Sequence, residues 1–123
     1  MTNGHRLTFL IVESEPAQGL STRKLLLETA KHNVLTAYSL KEGVGMFARF
    51  PKIDVVAVDG SFGEAPCSAM VKNLKDQNSA IRVVAFVPQV GALCGWADKT
   101  IDSHDPAGLL KMLEDLGART DIA

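Results

Sequence analysis

The sequence predicts an α/β domain: a doubly wound, five-stranded parallel sheet with helices on both faces. Three observations carry that prediction. Apolar runs alternate with stretches of helical periodicity, giving a βα unit five times over. The runs lack polar alternation, as strands covered on both sides do. Two of them end directly in acid, with Glu13-Ser14-Glu15 after Leu7–Val12 and Asp59 after Val55–Val58.

Leu7 to Val12 reads as the first strand, central and buried on both sides. Pro16 then opens a helix with Leu20, Leu27 and Ala30 on one stripe and Leu26 beside it. His32-Asn33 break that pattern, and Val34 to Tyr38 forms a shorter second strand. Ser39 and Glu42 have the spacing of a capping box, followed at helical intervals by Leu40, Val44 and Phe47. This helix stops near Phe50, because Pro51 disfavours helical geometry in the residue before it. Ile53 to Asp59 is the third strand, leaving into Gly60-Ser61-Phe62-Gly63.

Pro66 starts the next helix, with Cys67, Met70, Val71 and Leu74 as its apolar stripe, and Ile81 to Val87 is the fourth strand. From Gln89 to Trp96 the helical signal is weak, since Gly91 and Gly95 each cost about 1 kcal/mol relative to Ala. Thr100-Ile101 is a minimal fifth strand at a sheet edge. Asp105-Pro106 supply an N-cap and first helical position, and Leu109, Leu113 and Leu116 form the stripe of a last helix ended by Gly117.

At 123 residues the chain is expected to be one domain, with a core over 7–117 and short tails at 1–6 and 118–123. An apolar fraction of 46% and a charged fraction of 22% are ordinary globular values. Thirteen basic against fourteen acidic residues, with no basic run, argue against nucleic-acid binding through phosphate neutralisation. No apolar run approaches the ~20 residues that span a bilayer, and the N-terminal stretch has no small-residue cleavage site. A cytoplasmic protein is expected. Cys67 and Cys94 stand alone, without CxxC or a neighbouring His, and read as two buried free thiols, with a disulfide or metal site as the alternative. His5 and His32 read as surface residues, and His104 as a solvated loop residue.

Right-handed crossovers leave few ways to wind five such units. One common order, the flavodoxin-like 2-1-3-4-5, places its switch point between strands one and three, where ligands bind beyond the carboxyl ends. Here those ends carry Glu13-Ser14-Glu15 and Asp59. Opposed carboxylates in one crevice suit a hard divalent cation such as Mg²⁺.

From Leu7 to Leu116 the chain resembles the receiver domain of two-component response regulators. Val12-Glu13-Ser14-Glu15-Pro16 stands where receivers carry an acidic pair after strand one. Asp54-Val55-Val56-Ala57-Val58-Asp59 looks like their third strand, closing on the phospho-accepting Asp, and Ala97-Asp98 falls where they carry Gly-Ala-Asp. The resemblance implies Asp59 as phospho-acceptor and a weak Mg²⁺ site at Glu13, Asp59 and the Ser61 backbone carbonyl, with Ser14 and Glu15 as further candidates. It also implies a partner surface built by the fourth helix, fifth strand and fifth helix, with Trp96, Val90 and Leu93 on it. A sensor kinase or another signalling protein would dock there.

The departures matter as much as the match. Ser14 puts a neutral hydroxyl where the family's second carboxylate contacts the metal. Val87 stands where the family places a Thr or Ser, and Ser103 where it places a Lys that pairs with the phosphoryl group. Thr100 takes the aromatic switch position. These substitutions resemble an atypical, or pseudo-, receiver, in which phosphorylation is weak or absent. Only seven residues follow Leu116, so the module is expected to act on a separate protein.

Two readings compete with a phosphorelay receiver. One is a docking or scaffold module that works without phosphorylation, for which Trp96 is either the partner anchor or a residue packed on the sheet edge. The other is an enzyme, a phosphatase using Asp59 as nucleophile, but Ser61 stands where such enzymes need a second acid. The acidic loop after strand one disfavours a nucleotide-binding module, since it would repel a phosphate. No enzymatic activity is expected.

Overall fold

A computed structural model describes residues 6–13, 32–87, 94–102 and 106–115. Five strands form one parallel sheet in the order β2-β1-β3-β4-β5: β1 (Thr8–Val12), β2 (Asn33–Ala37), β3 (Val55–Asp59), β4 (Arg82–Val87) and β5 (Lys99–Asp102). Three helices are described: α1 (Leu40–Arg49), α2 (Glu64–Gln77) and α3 (Pro106–Asp115). The expected helix after Pro16 and the Gln89–Val90–Leu93 stretch lie outside the described residues.

The unbroken apolar strands do what their pattern demands. Leu10, Val12, Val56, Val58, Val83 and Ala85 face a core layer completed by Phe47 of α1 and by Met70, Val71 and Leu74 of α2. The alternate residues Phe9, Ile11, Val55, Ala57, Val84, Phe86 and Ile101 face a second layer with Met112 of α3. Helices therefore cover both faces of the sheet. Gly43 lets α1 settle onto β1, because a Cβ there would meet Val12 Cγ2 at 2.9 Å.

Local signals mostly hold. Ser39 Oγ accepts the Glu42 N–H at 3.0 Å, as the capping-box spacing predicts, and α1 ends with Phe50 as its C-cap. The helix expected to start at Pro66 starts two residues earlier, at Glu64. The Gly63 carbonyl accepts the Cys67 N–H at 3.0 Å, so the turn leaving β3 sets the first helical residue and Pro66 falls within the first turn.

Two expectations are overturned. His32 is buried, not on the surface: its Nδ1 accepts the Leu7 N–H at 3.0 Å and its ring meets Phe9 edge-on at 5.2 Å. It completes the pairing of β1 and β2 just before the ladder begins. Cys67 and Cys94 are not free thiols but a disulfide, tying α2 to the turn ahead of β5. Twenty-seven residues separate them in sequence, and only the α2-to-β5 packing brings them together.

Candidate functional site

The site is built at the carboxyl ends of the central strands. Val12 pairs with Ala37 on one side and Val58 on the other, so Glu13 and Asp59 leave the sheet at the same level on adjacent strands. Glu13 extends the ladder by one step, its N–H donating to the Ala37 carbonyl at 2.9 Å, and its side chain is buried. Asp59 is half-buried at the end of β3. Its Oδ1 accepts the Ser61 N–H at 2.9 Å, capping the 3-10 turn Gly60–Phe62 and fixing the plane of the carboxylate.

Gly60 closes the floor of this corner. A Cβ on it would lie 2.9 Å from the Phe86 carbonyl oxygen and 3.1 Å from Val87 Cγ1. The residue after Asp59 is thus pressed against the end of β4, and only glycine fits without displacing backbone. Val87 is buried there and pairs in register with Asp102 of β5. An isopropyl group at that corner offers no hydrogen bond to an anionic ligand. Thr100 lies two register positions earlier, opposite Ala85, and is exposed. Ser14, Glu15, Val90, Leu93, Ser103 and His104 lie outside the described residues.

The oxygen donors at this corner suit a hard cation in type but are few. Among the described residues no group of three or more His, Cys, Asp or Glu side chains converges on one point. Mg²⁺ favours six oxygens in octahedral geometry and retains waters, and what the described residues bring to one level here is Glu13 and Asp59, on adjacent strands.

Trp96 does not pack on the sheet edge. It is 63% exposed and sits at φ +70° in the turn that Ala97 N–H closes onto the Cys94 carbonyl at 3.3 Å. Gly95 N–H donates to Ser68 Oγ of α2 at 2.6 Å, beside the disulfide.

At the opposite end of the sheet Asp98 ties three elements together. Its carboxylate accepts the Val83 N–H at 2.7 Å and both oxygens meet Lys75 Nζ, at 2.7 and 2.9 Å. Burial would raise its pKa, but the Lys75 and Val83 hydrogen bonds and the Lys75 and Arg82 charges outweigh it and hold the carboxyl below its ordinary value. Asp115 is likewise held low, by its hydrogen bond to Lys99 at 3.0 Å.

No protein-family model matches the sequence, and no curated protein matches it. Solved structures do. A LuxR-family two-component response regulator from Aurantimonas superposes with a TM-score of 0.76 at 19% identity, over 96% of this chain and 93% of the other. The chain has the fold of response regulator receiver domains. The response regulator TrrA from Thermotoga maritima, in complex with Mg²⁺ and BeF, gives a TM-score of 0.70 at 18% identity, over 89% and 98% of the two chains. A pilus assembly-related protein from Burkholderia pseudomallei gives 0.73 at 12% identity, over 94% of each chain. The receiver fold is thus present at identities too low to carry function with it. Among the described residues no helix is long and apolar enough to cross a membrane.

Proposed function

We propose that this protein is an atypical receiver module of two-component phosphorelay signalling, acting by protein–protein contact, with Asp59 as its residual phospho-acceptor. The observation that carries the reading is the placement of Asp59 beside Glu13 at the carboxyl ends of β3 and β1, the switch point of a receiver fold. In this reading an Asp59 carboxylate oxygen attacks the phosphorus of an incoming phosphoryl group. An acyl phosphate forms, and the donor keeps the electron pair of the broken bond.

What the chain supplies to that step is limited. The Ser61 N–H orients the carboxylate, and the acids at Glu13 and Asp59 with the Ser61 carbonyl would hold Mg²⁺ weakly. When bound, the ion neutralises charge on the phosphoryl oxygens. Val87 and Ser103 replace the hydroxyl and ammonium that would otherwise steady those oxygens. Each missing donor costs a few kcal/mol of transition-state stabilisation, roughly two to three orders of magnitude in rate. Phosphorylation is therefore slow, and the contact surface works largely as folded. A sensor kinase or another signalling protein is the partner class, docking on the face that includes Trp96 and β5.

The test is an amide NMR titration of the wild type and Asp59→Ala with Mg²⁺, then beryllofluoride. The reading expects shifts that begin at Glu13, Asp59 and Ser61 in the wild type and are missing in the variant. Silence in both proteins at millimolar Mg²⁺ would overturn it. The second reading, docking independent of phosphorylation, would then lead, and the exposure of Trp96 at 63% favours it.

A further inference from the structure

The turn ahead of β5 is held by unequal ties. Cys94 is joined covalently to Cys67, the fourth residue of α2, and both are buried. Next to Cys94, Gly95 N–H donates to Ser68 Oγ at 2.6 Å. Trp96 follows in the left-handed region at φ +70°, a conformation a bulky side chain adopts only under restraint. Two residues beyond, Asp98 is locked to Val83 and Lys75.

The two ends of the disulfide differ in how firmly they are seated. On the helix side Met70, Val71 and Leu74 lie in the core, so α2 stays docked without the covalent bond. On the other side Gly95 and Trp96 are exposed, so Cys94 is one residue from solvent. Opening at Cys94 is local: it needs the turn to lift, not the sheet to part, because the Asp98 lock keeps β5 in register.

We propose that the Cys67–Cys94 disulfide is a redox-controlled latch that sets the position of the Trp96 turn and is opened by a dithiol reductant. One thiolate of the dithiol attacks Cys94 Sγ, forming a mixed disulfide and releasing Cys67 as a thiolate that takes up a proton. The second thiol of the reductant displaces Cys94, which is protonated in turn. Two electrons and two protons pass to the protein, and the reductant leaves as a cyclic or paired disulfide. With the latch open, the covalent restraint ahead of Trp96 is lost, the turn is held there by the Gly95–Ser68 hydrogen bond, and it relaxes. The exposed indole is then presented differently to any partner on that face. This inference stands apart from phosphoryl chemistry, since neither Glu13 nor Asp59 takes part.

Trp96 is the one tryptophan of the chain, so its emission reports the turn directly. The experiment records tryptophan fluorescence, amide shifts of 94–97 and far-UV circular dichroism of the full chain, oxidised and after dithiothreitol, with thiols counted under denaturing conditions. The latch predicts no free thiols before reduction and two after it. Emission and the 94–97 shifts should change while the dichroism is unchanged, and reoxidation should reverse this. The double variant Cys67→Ser with Cys94→Ser should show the reduced spectrum under all conditions, and Asp59→Ala should respond as the wild type does. Two thiols before reduction would overturn the proposal, as would unchanged emission after it. Loss of the dichroism on reduction would also overturn it, by making the bond a structural staple.

Discussion

The Asp98 carboxylate accepts the Val83 N–H at 2.7 Å while the Asp98 N–H donates to the Val83 carbonyl at 2.9 Å. Asp54 does the same with Thr8 at 2.8 and 2.9 Å. In each case an Asp just ahead of one strand closes both backbone groups at or next to the start of its neighbour. The sheet is thus finished at its amino end by side chains, which satisfy groups that would otherwise depend on water.

Asp98 makes stability depend on acidity. Its folded pKa lies below the unfolded value of about 3.9, so its contribution is fully present above that value. It is lost as pH falls through the folded pKa, when the proton removes the charge that pairs with Lys75 and weakens the oxygen's acceptance of the Val83 N–H. Asp98→Asn should cost about 1 kcal/mol at neutral pH, modest because the ion pair is half exposed and screened. The variant should also show a flatter loss of stability below pH ~4. Urea unfolding of both proteins from neutral to acid pH checks this, and parallel curves would refute it.

Gly60→Ala should distort the candidate site from behind. The added methyl meets the Phe86 carbonyl at 2.9 Å, and a strand carbonyl cannot move without disturbing the β3–β4 ladder. A loss of about 1–3 kcal/mol is expected, the range for overpacking a tight contact. Amide shifts should spread first to Asp59 and Ser61, because the turn they share must move. A stability unchanged from wild type would mean that the approach is looser than the geometry indicates.

Val87→Thr tests the reading of an impaired receiver by gain. The two side chains have nearly the same shape, and the new hydroxyl stands at the corner between Gly60 and β5. If the lack of a donor there limits phosphoryl transfer, the rate of acyl-phosphate formation from a small phosphoryl donor should rise roughly tenfold or more. Intact-mass measurement over time reads it, with Asp59→Ala as the blank. An unchanged rate would move the limitation to the metal site or to Ser103.

The strands, their order and the two acids were legible because they depend on local pattern and on the handedness of crossovers. The capping box at Ser39 was legible for the same reason. Register-dependent features were not. His32 looked like a break in a polar loop, yet its Nδ1 stands in for a backbone acceptor once β1 and β2 align. Asp54 and Asp98 read only as motif residues of the receiver resemblance, and their ties exist only after neighbouring strands take their offset. Gly60 gave no signal beyond its glycine-rich loop, since the Phe86 carbonyl that excludes a side chain lies on another strand.

The disulfide was the least legible feature, and it sets the last prediction. Cysteines without a CxxC or a neighbouring His read as thiols, because pairing depends on the docking of α2 against the turn before β5. Closing a loop between residues 27 apart restricts the unfolded chain, which should stabilise the fold by about 3–4 kcal/mol in the chain-entropy view. Reduction should therefore lower the unfolding free energy by that amount, and the urea midpoint with it, while the folded baseline of the dichroism stays the same. The double variant Cys67→Ser with Cys94→Ser should fall at least as far, since it also buries two hydroxyls beside Met70 and Val71. A midpoint unmoved by reduction would mean that the unfolded chain is already compact around these residues. The covalent tie would then act on the turn and not on global stability.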